Sequence, residues 1–234
     1  MTLKANEVPS NGPRQEPIEP GSYPARLVQV IDLGLQPQEY MGEEKAPKIE
    51  ITTTYELSDE FMKDEEGNDI EDKPRWVSET FPLNSLNTER AKSTARYYAL
   101  DPKAEHGGDW SKLLSTPVTI TLINKAGAGK NKGKVFNNIS GVSTMRPRDA
   151  EKLPALVNDA KYLDLDNPDV ELFLTLPQWV QDKIKKGLEF GGSKLDELLQ
   201  NHKGKGNEKP KEQKAKTTKA PVEDEDGEEG EGNW

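Results

Sequence analysis

Cysteine is absent from the 234 residues of the chain, and histidine is nearly absent. The lack of cysteine excludes disulfide bonds, thiol catalysis and cysteine-ligated zinc. Only His106 and His202 could serve as acid–base groups near neutral pH. The sequence shows no convergent set of acid, base and nucleophile. We therefore expect a protein that is not an enzyme, with no catalytic residue, no metal site and no cofactor.

Long apolar runs are also missing. No stretch approaches the roughly eighteen consecutive apolar residues of a membrane-spanning helix, and the N-terminus lacks the apolar core of a signal peptide. A chain without cysteine also fits a reducing compartment. These absences lead us to expect a soluble, cytoplasmic protein with no membrane partner.

Apolar residues make up only 32% of the chain, which predicts that part of it does not fold. Residues 1–20 carry four prolines among polar residues and are predicted to be a flexible N-terminal arm. Residues 191–234 show no sustained apolar pattern and are predicted to be a disordered lysine-rich linker and acidic tail. Between them we place a folded domain at residues 21–146 and a helical extension packed on it at residues 147–190.

Strand patterns dominate the predicted domain. The first strand is long, and Gly34 inside it indicates a bulge or bend. The second, KIEITTTYEL, alternates between apolar and polar residues, and the third is RWVSETFPL. The acidic stretch between them, residues 59–74, is predicted to be a long hairpin loop. Two further strands are expected at residues 117–124 and 134–145.

Helical signals occur at two places. Residues 85–100 lack internal glycine and proline, which predicts a helix between the third and fourth strands. A second helix is indicated by an i, i+4 stripe of apolar residues: Leu176, Val180, Ile184 and Leu188. Three strands, a helix and two strands are the element order of the OB-fold. We therefore predict a mainly β protein, a five-stranded OB-fold barrel with a helix between strands 3 and 4, a C-terminal helical extension and a disordered tail.

The run KAGAGKNKGK at residues 125–134 suggests a phosphate-binding loop, but its spacing excludes a Walker loop. A Walker loop needs Gly-Lys followed by a hydroxyl residue, whereas Val135 follows Lys134 here. Strand patterns on both sides make the run a strand-to-strand loop. Its four lysines are predicted to contact the phosphates of a nucleic-acid backbone, with a solvated turn as the alternative: Lys125, Lys130, Lys132 and Lys134.

Binding of a single strand needs flat rings on which bases stack, with cations along the phosphates. Trp76 is the sharpest candidate, because alternation in RWVSETF sends Val77 and Phe81 towards a core and Trp76 to the polar side, with Arg75 beside it. The alternative for Trp76 is packing under the C-terminal segment. Phe136, which follows the lysine run, is a second candidate for stacking, with core packing as the alternative.

The predicted loop between strands one and two supplies a third aromatic candidate. Tyr40 lies there close in sequence to two cations, Lys45 and Lys48. In OB-folds the loops between strands one and two and between strands four and five flank the ligand groove. We therefore include all three residues in the predicted DNA-binding set.

The overall charge opposes this prediction at first sight, since the chain carries a formal net charge of −10. Any nucleic-acid site must then be a local basic patch on an acidic body. The last twelve residues contain seven acids and no base, and end in an aromatic residue. The residues predicted to bind a partner are Glu223, Asp224, Glu225, Asp226, Glu228, Glu229, Glu231 and Trp234.

Three segments together resemble bacteriophage single-stranded DNA-binding proteins of the OB-fold type from tailed phages. Two of them, PGSYPARLVQVIDLG and LPQWVQDKI, belong to a resemblance that covers about residues 18–190. The third is the acidic tail, whose style is shared with single-strand binders more widely. Tails of this style often end in phenylalanine, where this chain has Trp234. The resemblance implies sequence-independent binding of single-stranded DNA in phage replication or recombination, in the host cell cytoplasm. It also implies recruitment of replication or recombination proteins through the tail.

The composition leaves a second hypothesis open. An OB-fold protein-interaction or DNA-mimic module would use the same fold and the same acidic surface without binding DNA. Binding of labelled oligo(dT) at low and high salt separates the two hypotheses.

Overall fold

The computed structural model describes residues 15–205, and most of its regular structure is β-strand. This confirms the prediction of a mainly β protein. Six strands are formed: β1 (Gly21–Tyr40), β2 (Glu43–Lys63), β3 (Asp69–Pro82), β4 (Pro117–Ala126), β5 (Val135–Thr144) and β6 (Lys161–Leu163). Five helices accompany them: α1 (Lys92–Leu100), α2 (Pro147–Ala150), α3 (Val170–Thr175), α4 (Gln178–Lys185) and α5 (Lys194–Lys205).

The strands form one sheet with the order β3-β2-β1-β4-β5, in which all neighbours are antiparallel. The short β6 adds a parallel pairing to β1. Within the described residues no hydrogen-bonded ladder joins β3 to β5, so the sheet is open at these two edges. The structure therefore has six strands where five were predicted, and the ring of strands is not closed.

β1 lies at the centre of the sheet and serves two cores. Irregularities of register interrupt its pairing with β2 at three places, one of them between Asp32 and Gly34. Gly34 has a φ of 74°, which agrees with the bend predicted there. Leu27, in the first half of β1, packs in the main core, whereas Ile31 and Leu33 pack in a second core. The bulges rotate the strand between these two cores.

The main core fills the inner face of the sheet. Tyr55 of β2 and Phe81 of β3 are buried there, together with Ile120 of β4. Tyr97 of α1 and Trp110 of a short 3₁₀ turn close one end of this core, with their ring centroids 5.6 Å apart. α1 is shorter than the predicted helix at residues 85–100, because the residues before Lys92 form turns instead.

The predicted loop at residues 59–74 is wrong. β2 continues to Lys63 and β3 starts at Asp69, so most of this stretch forms a two-stranded arm. The turn is tight because the Asp64 carboxylate accepts hydrogen bonds from the backbone N–H groups of Glu66 and Asn68. Charged side chains hid the strands, since the few apolar residues of the arm, Phe61, Met62 and Ile70, are only half-buried and do not alternate along the chain.

The second core joins β1 to the C-terminal helices. Val180 and Ile184 of α4 pack there with Phe173 of α3, whereas Leu188 lies beyond the end of α4 and is exposed. The prediction of disorder from residue 191 is wrong as far as Lys205. α5 forms over these residues because Leu195 and Leu199 lie one turn apart and are both buried in this core.

The N-terminal arm also differs from its prediction. Residues 15–20 are docked on the sheet rather than flexible, and Ile18, only 4% exposed, belongs to the main core. An isolated apolar residue among prolines gave little indication of this burial. Residues 1–14 of the predicted arm and the predicted linker and tail after Lys205 lie outside the described residues.

Candidate nucleic-acid interface

The opening between β3 and β5 contains the most promising site. We call it the β3–β5 groove: it is lined by residues 15–17, by Arg75 of β3 and by residues 133–137, and has a volume of about 920 Å³. It brings together three residues of the predicted DNA-binding set, namely Arg75, Lys134 and Phe136. Two cations and one exposed ring are the chemical groups that a single strand needs.

Arg75 enters the groove because side chains alternate along β3. Val77, Glu79 and Phe81 are buried, and Arg75 shares their face of the strand at the open end of the core. Burial lowers the pKa of Arg75, while the nearby Glu60 and Tyr23 oppose that change. The guanidinium keeps its charge at neutral pH, since arginine titrates far above it. Within residues 15–205 it forms no ion pair, so it is available to an anion.

Lys134 is placed by the loop between β4 and β5. This loop is closed by a 2.8 Å hydrogen bond from the N–H of Gly127 to the carbonyl of Lys134, and it contains a single 3₁₀ turn at Gly129–Asn131. Gly129 and Gly133 have positive φ angles of 57° and 88°, which glycine adopts without strain. The prediction of a strand-to-strand loop is confirmed.

Phe136 is held in an exposed position by the same loop. A Cβ on Gly127 would lie 2.8 Å from Cε2 of Phe136 and 2.4 Å from the carbonyl of Asn131, so only glycine leaves room for the ring. Phe136 is 43% exposed and lies directly across the ladder from Lys125. A cation and an aromatic ring therefore share one face of the β4–β5 hairpin. Core packing, the alternative for Phe136, is not what the structure shows.

Two other lysines of the loop are not among the residues that line the groove. Lys125 and Lys132 are exposed. The structure does not describe the side chain of Lys130, although its backbone lies in the 3₁₀ turn. Lys125 and Lys132 thus lie on the surface of the loop, whereas Lys134 lines the groove.

Residues 15–18 form the third wall of the groove through two reciprocal pairs of hydrogen bonds. The side chain of Gln15 donates to the carbonyl of Lys63 at 2.8 Å and accepts from its N–H at 2.9 Å. Likewise, the side chain of Asn137 donates to the carbonyl of Ile18 at 2.7 Å and accepts from its N–H at 2.9 Å. Two amide side chains thus fasten the segment across the opening, from the β2–β3 arm to β5.

Trp76 lies on the opposite face of β3 from Arg75. Its ring is 40% exposed, and its indole N–H donates a 3.0 Å hydrogen bond to Glu56, its neighbour on β2. Glu56 is buried and also accepts hydrogen bonds from the backbone N–H groups of Val157 and Asn158. Trp76 is therefore anchored next to the C-terminal segment and still presents part of its ring to solvent.

The segment that meets Glu56 crosses the outer face of the sheet, and we call residues 153–158 the strap. Arg26 of β1 fastens its beginning, donating hydrogen bonds to the carbonyls of Leu153 and Pro154 at 2.9 and 2.7 Å. Arg26, Glu56 and Trp76 are neighbours across three strands. The strap thus contacts Arg26 and Glu56 directly and ends beside Trp76.

Tyr40, Lys45 and Lys48 are not brought to the groove. They lie on the β1–β2 hairpin, whose turn at Met41 and Gly42 has φ angles of 55° and 80°. Tyr40 is 63% exposed at the tip, and Lys45 forms an ion pair of 2.6 Å with Glu43. Lys48 is exposed and pairs with Gln36 across the ladder. None of the three lines the groove.

An acidic region adjoins the groove. Residues 59–73, which include most of the β2–β3 arm, contain eight acids and two lysines. A second cavity of about 500 Å³ lies between this arm and residues 15–19, and it shares Gln15, Glu16, Pro17 and Arg75 with the groove. Arg75 thus borders both the acidic arm and the groove, whereas Lys134 lies in the loop before β5.

Sequence reasoning missed Gln15, Glu16 and Asn137, which line the groove. Asn137 is a polar residue inside a predicted strand. This was the one feature of the sequence that could have indicated a role for its side chain. Nothing in the proline-rich arm indicated that Gln15 would pair with Lys63, about fifty residues further along the chain.

Three further expectations from the sequence concern a metal, a membrane and the tail. Residues 15–205 contain no group of three or more His, Cys, Asp or Glu side chains placed to hold a metal ion. None of their helices is both long and apolar enough to span a membrane. The predicted partner-binding residues, Glu223, Asp224, Glu225, Asp226, Glu228, Glu229, Glu231 and Trp234, lie outside the described residues.

No protein-family model matches the chain, and no curated protein matches it. The interpretation of the site therefore rests on its geometry.

Proposed function

We propose that this protein binds single-stranded DNA without sequence preference, through the β3–β5 groove and the lysine loop beside it. The observation that carries the proposal is the convergence of Arg75, Lys134 and Phe136 on one groove. The two cations suit phosphates, and an exposed ring held by glycine packing suits a base, whatever its identity.

The sheet supports the same proposal. The order β3-β2-β1-β4-β5, with β1 shared between two halves and α1 between β3 and β4, fits an OB-fold barrel left open at β3 and β5. Partial opening is common in this fold, which binds oligonucleotides beside the loop between strands four and five. Here that loop is the lysine loop.

Trp76 extends the proposed surface over the outer side of β3. A strand that leaves the groove over β3 can stack a base on the exposed part of its ring, while the hydrogen bond to Glu56 keeps the indole in place. Tyr40, Lys45 and Lys48 would contact only a longer strand, from the hairpin at the other end of β1.

In a phage setting the protein would protect single-stranded intermediates of replication or recombination in the host cytoplasm. Its acidic tail, residues 223–234, would recruit replication or recombination proteins, with Trp234 as the anchor. This role rests on the resemblance of the sequence together with the groove.

A protein-interaction or DNA-mimic module is the second candidate. The acidic β2–β3 arm favours it, because a dense row of carboxylates on an exposed ribbon can take the place of a phosphate backbone towards a basic partner. On this hypothesis the groove would have no role.

Fluorescence anisotropy of labelled oligo(dT) distinguishes the candidates. The full chain should bind single strands more tightly than a duplex of the same length, and Arg75→Gln and Lys134→Gln should each weaken binding several-fold at low salt. Lys103→Gln is the matched control, since the side chain of Lys103 is exposed and does not line the groove. Equal binding by all variants, or no binding by the full chain, would favour the second candidate.

A further inference from the structure

The N-terminal segment that lines the groove carries a negative charge, which is unfavourable for binding a phosphate. Among the residues lining the β3–β5 groove three are charged: Arg75, Lys134 and Glu16. Glu16 is exposed, and it follows Gln15, whose side chain is fixed to Lys63 by two hydrogen bonds. Ile18, two residues further on, is fixed by Asn137 and by burial. The backbone of Glu16 is therefore held at the groove from both sides, and its side chain lines the groove.

A carboxylate in this position repels an anion that the two cations attract. Within the described residues neither Arg75 nor Lys134 has an ion-pair partner closer than 4 Å, so both cations remain open to an anion in the groove. An anion that enters the groove gains the attraction of two cations and meets the repulsion of Glu16, to which Glu60 near Arg75 adds from the neighbouring cavity. Salt screens both effects.

We infer that Glu16 is a built-in competitor of the DNA phosphate, and that the docked segment of residues 15–18 sets the affinity of the groove. This inference rests on the proposed function. It assigns to the N-terminal segment a regulatory role in the same site: the wall that shapes the groove also limits how tightly it holds a strand. A binder that coats DNA transiently needs such a limit, because it must leave the strand when replication or recombination proceeds.

The matched pair Glu16→Gln and Glu19→Gln tests the inference in the full chain. Both changes remove one negative charge from the same segment and keep the size of the side chain. Glu19, however, lines the neighbouring cavity and not the groove. We expect Glu16→Gln to bind oligo(dT) about two- to fivefold more tightly at low salt, and the gain to shrink at high salt. Glu19→Gln should stay close to the unmodified chain.

A second background tests whether the docked position matters. Gln15→Ala removes both hydrogen bonds to Lys63 and releases the end of the segment that carries Glu16. In this background the gain from Glu16→Gln should fall below its value in the unmodified chain, as expected for coupled residues. A gain that persists undiminished would contradict the role of the docked segment.

The results distinguish this inference from the proposed function. If the full chain binds oligo(dT) and Glu16→Gln behaves like Glu19→Gln, the competitor role of Glu16 is wrong and the proposed function stands. If neither the full chain nor Glu16→Gln binds oligo(dT), the proposed function and the inference are both wrong.

Discussion

Trp76 and Glu56 face each other across β3 and β2, and the indole N–H of Trp76 donates a 3.0 Å hydrogen bond to Oε2 of the glutamate. The same buried carboxylate receives the backbone N–H of Val157 at 2.7 Å and the side chain of Asn158 at 2.7 Å. The exposed aromatic ring of β3 is thus linked to the strap through one acid. The side chain that anchors the strap through Glu56 is therefore the same one that we propose for base stacking.

Substitutions of Trp76 separate these two roles. Trp76→Phe keeps a ring for stacking but removes the donor, so we expect nearly unchanged affinity for oligo(dT) and a loss of about 1–2 kcal/mol in the free energy of unfolding. Trp76→Ala should also weaken binding, by about 1–3 kcal/mol. Urea denaturation and anisotropy measure the two effects, with Trp179→Ala as the control for an exposed tryptophan on α4. Full affinity in a folded Trp76→Ala protein would assign the residue to the strap alone.

The lysine loop should determine the salt dependence of binding. Replacing Lys125, Lys130, Lys132 and Lys134 by alanine should weaken binding to every base composition alike. It should also flatten the plot of log affinity against log salt, by roughly 0.7 per lost contact and hence by about 3 in total. Replacing Lys103 and Lys152, two exposed lysines outside the loop, should leave the slope unchanged. An unaltered slope in the loop variant would make the run a solvated turn.

The stability of the fold should depend on a buried ion pair between α1 and β3. Arg96 of α1 donates to both carboxylate oxygens of Glu79 at 2.7 and 3.2 Å, and both side chains are buried. Arg96→Met leaves the buried acid with only the partly exposed Lys92. We expect it to lower the free energy of unfolding by about 3–5 kcal/mol, since a buried charge loses its main partner.

Lys92→Met is the control for this pair, and its effect should stay near or below about 1 kcal/mol because that lysine remains in contact with water. Urea denaturation followed by circular dichroism compares the two variants. If they are equally stable, Arg96 is not what keeps α1 on the sheet.

The acidic tail should compete with DNA for the groove. Seven carboxylates tethered to the domain can reach an effective concentration near millimolar at the lysine loop. Deleting residues 223–234 should therefore strengthen binding of oligo(dT), most visibly at low salt, and abolish partner recruitment. Trp234→Ala should abolish recruitment in a pull-down and leave DNA affinity unchanged. A truncated chain that binds no more tightly at low salt would exclude competition by the tail.

Much of the sheet was predictable because its inner face is apolar and alternates. The buried faces of β2 and β3 were predicted from residues such as Tyr55, Val77 and Phe81. The position of the lysine loop was predicted from the strand patterns on both sides of it. The β2–β3 arm was missed because most of its residues are charged and its few apolar residues, such as Met62 and Ile70, do not alternate along the chain. α5 was missed because only Leu195 and Leu199 mark its buried side.

The candidate site was predicted in part for a similar reason. The alternation that sends Trp76 outwards sends Arg75 inwards, so two neighbours in sequence belong to opposite faces of β3. Arg75 meets Lys134 and Phe136 only because β3 and β5 are the two edges of the sheet. The pairing of Gln15 with Lys63 and of Asn137 with Ile18 depends on that tertiary arrangement, which no local pattern encodes.

Photochemical cross-linking of oligo(dT) to the full chain, followed by mass spectrometry of the peptides, tests most directly whether the β3–β5 groove holds the strand. We predict that cross-links concentrate on the peptides containing Phe136 and Arg75, with weaker ones at Trp76, and that they decline in Arg75→Gln and at high salt. Cross-links confined to the β1–β2 hairpin around Tyr40, or absent altogether, would contradict the proposal that this groove binds single-stranded DNA.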